Sequence, residues 1–202
     1  MLNAIMVLAL LAQDDAAVKE ALDRFKQGMK ANTAAGQASA ISELARTPHD
    51  FTYWVTFFDG EEARGAWTSA DSLYGSRHLA AELASAQRLP RAMLLVDMIG
   101  DRDLSIKREA FSTAWLTDVI WDTARRLGYG RYFLADVIPV EDDHAPFLRA
   151  GVPAALLIDF DYPPWHTAQD TLDKVSAKSL AIVGEVVREA LPAVEQALLR
   201  HR

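Results

Sequence analysis

Acidic residues and one histidine stand where they could share a metal ion and move a proton. Glu61 and Glu62 are adjacent, and neighbouring carboxylates repel each other and point in different directions, so one can bind a cation while the other handles a proton. With Asp97 and His166 they form the histidine and carboxylate set of a catalytic zinc, which leaves one position open for substrate or water. Any one acidic pair alone is better explained as a solvated loop, whereas clusters at four strand ends favour a site.

The elements that must position these residues are strands alternating with helices. Apolar runs predict strands at 51–58, 91–99, 132–138 and 154–160, and alternation predicts another at 103–109. Helical spacing predicts helices at 14–29, 33–46, 72–85 and 112–128, a short one at 145–150 and a last one from 176, with Ser112 or Thr113 as a cap and Pro192 as a kink. This order predicts an α/β three-layer sandwich with a central mixed, mostly parallel sheet and helices on both faces.

In such a sheet the ligand site lies beyond the carboxyl ends of the strands. Polar groups after each main strand are therefore expected to converge. The groups concerned are Asp59, Glu61 and Glu62, then Asp97 and Asp101, then Glu141, Asp142, Asp143 and His144, and finally Trp165 and His166.

Composition excludes several classes of protein. The chain has 202 residues, half of them hydrophobic, which fits one folded domain rather than a disordered chain. A net charge of −7 argues against nucleic acid and anionic membrane surfaces as partners. No cysteine is present, so any metal must bind histidine and carboxylate ligands.

The first twelve residues are strongly apolar and have two interpretations. Residues 1–12 resemble the centre of a secretory signal, but no positive residue precedes that centre. The alternative is a buried strand or helix, with residues 13–202 forming a single α/β domain. A signal would place the protein outside the cytoplasm, in a secreted or periplasmic location, and a buried segment would leave it cytoplasmic.

Several motifs carry a family resemblance from about residue 31 to about residue 187. The chain resembles the glutaminyl-peptide cyclotransferases, a branch of the zinc aminopeptidase superfamily. The motifs are Phe57-Phe-Asp-Gly-Glu-Glu-Ala63, Asp71-Ser-Leu-Tyr-Gly-Ser-Arg-His-Leu-Ala80, Leu95-Val-Asp-Met-Ile-Gly100, Glu141-Asp-Asp-His-Ala-Pro-Phe-Leu-Arg-Ala-Gly-Val-Pro153 and Trp165-His-Thr167.

The resemblance implies a role for each acidic residue of the site. Glu62 and His166 would bind one zinc ion, with Asp97 moving in beside them as a further ligand. Glu61 would be the general acid and base, and Asp97 and Asp142 would orient it and the substrate. The implied reaction closes an N-terminal glutamine of a peptide or protein to pyroglutamate and releases ammonia.

Three further residues are assigned to the substrate by the same resemblance. Trp165 would form a wall of the pocket, although a core position is the alternative, and Asp143 and His144 would lie beside the substrate. For His144, a supporting role through hydrogen bonds is favoured over metal ligation. Trp67 is expected to pack in the interior rather than bind a ligand.

The sequence departs from the family at the metal site and at its N-terminal side. Relatives have a ligand Asp in a turn that aligns here with Lys30-Ala31-Asn32-Thr33, so Thr33 replaces that carboxylate. A hydroxyl is a poor zinc ligand, which predicts weak zinc binding. A shorter N-terminal region predicts an unpaired sheet edge through which copies could associate. The alternatives to a cyclotransferase are a zinc aminopeptidase and a non-catalytic member that has lost its metal site.

Overall fold

The computed structural model describes residues 6–11 and 51–200, and strands alternate with helices along this part of the chain. The predicted helices at 14–29 and 33–46, and Thr33 itself, lie outside the described residues. The strands are β1 Met6–Leu11, β2 Thr52–Thr56, β3 Ala92–Asp97, β4 Ile106–Glu109, β5 Phe133–Ile138 and β6 Ala154–Ile158. The helices are α1 Tyr74–Ser85, α2 Ala114–Arg126, α3 Ala145–Arg149 and α4 Ala177–Arg200, with short 3-10 turns at Gly130–Tyr132 and Leu172–Lys174.

The strands form a mixed sheet. Four of them pair in the order β2-β1-β3-β6, in which β1 runs antiparallel to both of its neighbours and β3 runs parallel to β6. Leu8 of β1 lies opposite Val55 on one side and Leu94 on the other. β4 pairs in parallel with β5, and β4 lies alongside β6. The ladders among the described strands are therefore two parallel and two antiparallel.

Helices cover both faces of this sheet, which gives the predicted three-layer α/β sandwich. In β3, Leu94 and Val96 pack with α2 and α4, whereas Met93 and Leu95 point to the other face and pack with α1 and α3. Because both faces are covered, β3 is apolar at every position before Asp97. The last residue of β3 is thus the first polar position of a buried strand, at the edge where a ligand site is expected.

β1 occupies a position inside the sheet. Met6–Leu11 lies between β2 and β3, with both of its edges hydrogen-bonded. The division of the chain into residues 1–12 and 13–202 stays a prediction. Within the described ranges, no helix has both the length and the apolar character needed to cross a bilayer.

Two local features differ from the sequence-based expectations. β2 is half-buried at every position, not covered on both faces, and β1 is its partner in the described sheet. Ser112 and Thr113 do not cap α2 through their side chains, because their hydroxyls accept hydrogen bonds from β6, at Leu156 N and Ala154 N. Pro192 lies inside α4, and the kink expected there stays a prediction.

Candidate active site

The acidic pair that follows β2 is held by the start of α1. The carbonyl groups of residues 59–61 accept hydrogen bonds from the backbone amides of residues 73–75, which have no partner within the helix. The N···O distances are 3.1 Å from Gly75 to Asp59, 2.9 Å from Tyr74 to Gly60 and 2.8 Å from Leu73 to Glu61. The backbone that carries Glu61 and Glu62 is therefore fixed by a helix terminus.

This contact requires a glycine at position 75. A Cβ atom built there would lie 2.6 Å from the carbonyl oxygen of Asp59 and 2.7 Å from its Oδ1 atom. Any side chain at this position would push α1 away from the carbonyl groups that it caps. The glycine in the Asp71–Ala80 motif thus has a direct steric explanation.

Glu61 is a half-buried carboxyl group surrounded by other acids. Burial raises its pKa from 4.5 to about 7, and the negative charges of Glu62, Asp143 and Asp97 add to the shift. A group with a pKa near 7 can accept and return a proton at neutral pH. Glu61 therefore has the protonation range that a general acid and base would need.

Asp97 and Asp142 approach Glu61 from other strand ends. Burial raises the pKa of Asp97, opposed by a hydrogen bond from Met98 N, and the charge of Glu62 raises it further. Burial and the charge of Asp97 raise the pKa of Asp142 well above its usual range. Asp142 Oδ1 accepts a hydrogen bond from Asp143 N at 2.6 Å, while its Oδ2 atom has no protein partner. These carboxyl groups form one interacting cluster.

Asp143 and His144 are fully buried, which differs from the predicted contact with substrate. Ser76 donates a hydrogen bond to Asp143 Oδ1, and His144 Nε2 lies 3.1 Å from Glu109 Oε2. Burial raises the pKa of Asp143 to about 6, opposed by the bond from Ser76. Neither side chain has accessible surface to offer a substrate. The arrangement instead matches the supporting, hydrogen-bonding role considered for His144.

Glu62 and His166 are in direct contact although they are far apart in the chain. His166 Nε2 lies 2.8 Å from Glu62 Oε1, and about half of each side chain is exposed. His166 has a φ of 56°, a left-handed conformation that histidine adopts more readily than most residues. Its ring stacks on Trp165 at 4.1 Å between centroids, and 44% of Trp165 is exposed. The outer part of the site therefore consists of the Glu62–His166 pair and an exposed indole.

The donor types of this pair suit zinc, since a carboxylate oxygen and an imidazole nitrogen are common zinc ligands. Two donors do not complete a site, and within residues 6–11 and 51–200 no three His, Asp or Glu side chains are grouped so that they could hold a metal. Asp97 as the further ligand stays a prediction. The residues present thus fit two positions of a zinc site.

Sequence reasoning missed two hydrogen-bonded positions near the cluster. Trp67 is 42% exposed, not packed in the interior, and its Nε1 donates to Glu141 Oε2 at 3.3 Å. Glu109 is buried against His144 at the carboxyl end of β4. Glu109 carries the same signal as the other acids, because it is a polar residue at the carboxyl end of a strand.

Comparison with known proteins identifies glutaminyl cyclases as relatives and a peptidase that has the same fold. A glutaminyl-peptide cyclotransferase of Boiga dendrophila is 34% identical over 177 residues, which cover 75% of this chain and 48% of that protein. The crystal structure of an Acidobacteriales bacterium glutaminyl cyclase is 43% identical with a TM-score of 0.72, covering 76% of this chain and 56% of that one. A Zn-dependent exopeptidase from Parabacteroides distasonis shares the fold, with a TM-score of 0.64 and 23% identity over 72% of this chain and 55% of its own.

The chain spans about half the length of the cyclotransferases that it matches. Its agreement with peptidase family M28 extends from residue 28 to residue 191 and so includes every residue of the candidate site. The chain therefore belongs to peptidase family M28.

Proposed function

We propose that this chain acts as a zinc-dependent glutaminyl-peptide cyclotransferase-like enzyme. The substrate class is a peptide or protein with an N-terminal glutamine. The relatives named as cyclotransferases and glutaminyl cyclases support this proposal, and the observation that carries it is the pKa of about 7 for Glu61, which lies beside the Glu62–His166 pair.

The proposed reaction forms one bond and breaks another. The α-amine nitrogen of the glutamine bonds to the γ-carbonyl carbon, and the bond from that carbon to the side-chain nitrogen breaks, so ammonia leaves. Glu61 accepts the proton of the amine and returns it to the departing nitrogen. Asp97 and Asp142 are assigned to keep Glu61 in position, and the negative charges of Glu62, Asp143 and Asp97 help to keep its affinity for protons high.

Glu62 and His166 are the residues proposed to hold the zinc ion, with Asp97 beside them. Bound zinc would polarise the γ-amide carbonyl of the substrate. Trp165 offers an exposed apolar surface next to His166, and we assign it to the wall of the substrate pocket. Because Thr33 takes the place of a ligand carboxylate, we expect zinc affinity to be low and Thr33→Asp to raise both zinc content and rate.

The test is ammonia release from a short peptide with N-terminal glutamine. We expect release in the presence of zinc, its loss with a chelator and its return when zinc is added again. Glu61→Gln should lower kcat by about 10²- to 10⁴-fold, because the amide cannot carry the proton. Glu82→Gln, an exposed carboxylate on α1, is the matched control and should leave the rate unchanged.

Two other functions are distinguished by the same assay. Hydrolysis by an aminopeptidase is favoured by the family M28 match, and it would release free leucine from an N-terminal leucine peptide without ammonia from glutamine. A non-catalytic role is favoured by the two-donor metal site, and it would show neither product and no bound zinc by elemental analysis. Either result contradicts the cyclotransferase proposal.

A further inference from the structure

Glu109 receives more hydrogen bonds than any acid of the candidate active site. It lies at the end of β4 and is only 4% exposed. Its Oε1 atom accepts bonds from Phe111 N at 2.9 Å and Val140 N at 3.3 Å. Its Oε2 atom accepts a bond from Ser112 Oγ at 2.8 Å and lies 3.1 Å from His144 Nε2. Both oxygens of the carboxylate are thus satisfied.

Two of these partners stand at the ends of the acidic segment 141–143. Val140 precedes the segment and His144 follows it, so one carboxylate fixes the chain on both sides of Asp142. The segment is further ordered from inside, because Asp143 N bonds to Asp142 Oδ1 and Ala145 N bonds to the Asp142 carbonyl at 2.8 Å. The bonds from Val140 N and His144 to Glu109 therefore restrict the backbone that carries Asp142.

Glu109 is also connected to β6 through Ser112. Ser112 Oγ, which donates to Glu109, accepts a hydrogen bond from Leu156 N at 3.0 Å in β6. Burial raises the pKa of Glu109, but the bonds from His144, Phe111 N and Ser112 outweigh it and the pKa is lowered. A buried ionised carboxylate is stable only while its donors stay in place. The charge therefore favours one conformation of the segment.

We propose that Glu109 is a positioning residue, which holds Asp142 beside Glu61 by clamping segment 141–143 through Val140 N and His144. This inference rests on the proposed cyclotransferase function. In it, Glu109 acts through the position of Asp142 and not on the substrate itself. His144 is the second half of the clamp, since its buried ring joins the end of the segment to β4.

The first experiment compares Glu109→Gln with Glu195→Gln. Both replace a buried glutamate with its isosteric amide, but Glu195 lies on α4 and accepts a bond from Tyr53 at 2.5 Å. Glu109→Gln should lower kcat for the glutaminyl peptide by about 10- to 100-fold with KM within about twofold, because a misplaced group costs rate rather than binding. Glu195→Gln should keep the wild-type kcat. A lowered urea midpoint in both variants with kcat unchanged would overturn the proposal.

A second variant, His144→Asn, tests the proposal even if Glu109→Gln does not fold. His144→Asn removes one partner and leaves the other bonds of Glu109 intact, so we expect a folded protein with kcat reduced in the same way. If both single variants fold, the double variant should lose no more rate than the worse single one, because the two residues act through one contact. An unchanged kcat in folded His144→Asn, or additive losses in the double variant, would contradict the clamp.

Amide hydrogen exchange separates this inference from the proposed function. The amides of Asp143 and Ala145 should exchange about tenfold faster in Glu109→Gln than in the wild type, and they should be unaffected in Glu195→Gln. This measurement needs no activity. If the wild type turns over no glutaminyl peptide, the proposed function fails, and unchanged exchange in Glu109→Gln would independently overturn the clamp.

Discussion

Glu109 and Asp142 are both almost fully buried, yet the pKa of Glu109 is lowered and the pKa of Asp142 is raised. At Glu109 the hydrogen bonds from His144, Phe111 N and Ser112 outweigh burial and lower the pKa. Asp142 has one bonded oxygen and one without a partner, and the charge of Asp97 adds to burial, so its pKa rises well above the usual range. The number of donors, not the depth of burial, decides which charge state each position stabilises. The donors around Glu109 thus favour its ionised form, whereas burial and a neighbouring charge disfavour the ionised form of Asp142.

The comparison predicts that removing Glu109 costs more stability than neutralising Asp142. Glu109→Ala leaves the amides of Phe111 and Val140 and the buried imidazole of His144 without their acceptor, so the free energy of unfolding should fall by about 3 to 5 kcal/mol. Asp142→Asn should change it by less than about 1 kcal/mol, because the asparagine carbonyl can still accept the bond from Asp143 N and burial already disfavours the charged form of Asp142.

Urea denaturation of both variants and the wild type provides the measurement. If Asp142→Asn is the more destabilising of the two changes, the fold depends on a charge at Asp142, and the contrast between the two carboxyl groups is wrong. Equal m-values are needed for the midpoints to be compared directly.

Asp159 extends the comparison to a third buried carboxyl group. Its Oδ2 atom accepts a bond from Ser105 N at 2.7 Å, its Oδ1 atom has no partner, and burial raises its pKa from 3.8 to about 6. Between about pH 4 and pH 6 the folded protein binds more protons at this position than the unfolded chain does. Stability should therefore fall as the pH rises through this window, by at most about 3 kcal/mol.

Asp159→Asn should abolish this part of the pH dependence. We would measure the free energy of unfolding of both proteins with urea from pH 4 to pH 7. As the pH rises, the wild type should lose stability relative to the variant. A constant difference, or one that moves in favour of the wild type, would show that the unpartnered oxygen does not control the titration.

Glu141 provides the smallest expected effect, because it belongs to the same segment but is exposed. It accepts bonds from Arg149 Nη1 at 3.0 Å and from Trp67 Nε1 at 3.3 Å. Glu141→Gln should lower stability by less than about 1 kcal/mol, and the loss should shrink at high salt. A loss as large as that of Glu109→Ala would contradict the claim that a buried, hydrogen-bonded carboxylate contributes more stability than an exposed one.

The layered fold could be predicted because its signals are local. Continuous apolar runs at β3 and β6 indicate strands covered on both faces, and the structure buries both. The convergence of Glu61, Asp97 and Asp142 also follows from position, since each residue comes at or after the end of a strand and a sheet brings those ends together.

The direction of individual side chains could not be predicted in the same way. Asp143 and His144 are adjacent to Asp142, but their side chains bond to Ser76 and Glu109, which are 67 and 35 residues away in sequence. Ser112 has the sequence signature of a helix cap, yet its hydroxyl bonds to β6 and Glu109. In each case a tertiary hydrogen bond replaces the local one, and no spacing in the sequence reveals it.

The position of β1 links Met6–Leu11 to the candidate site, which lies far from it in sequence. Within the described sheet, β2 is joined to β3 through Met6–Leu11. If those six residues separated from the sheet, the backbone leading into Glu61 and Glu62 would lose the strand that pairs with β2 in the described sheet, while the amides that begin α1 would still hold residues 59–61. A substitution that weakens β1 should therefore loosen the backbone that carries Glu61 and Glu62.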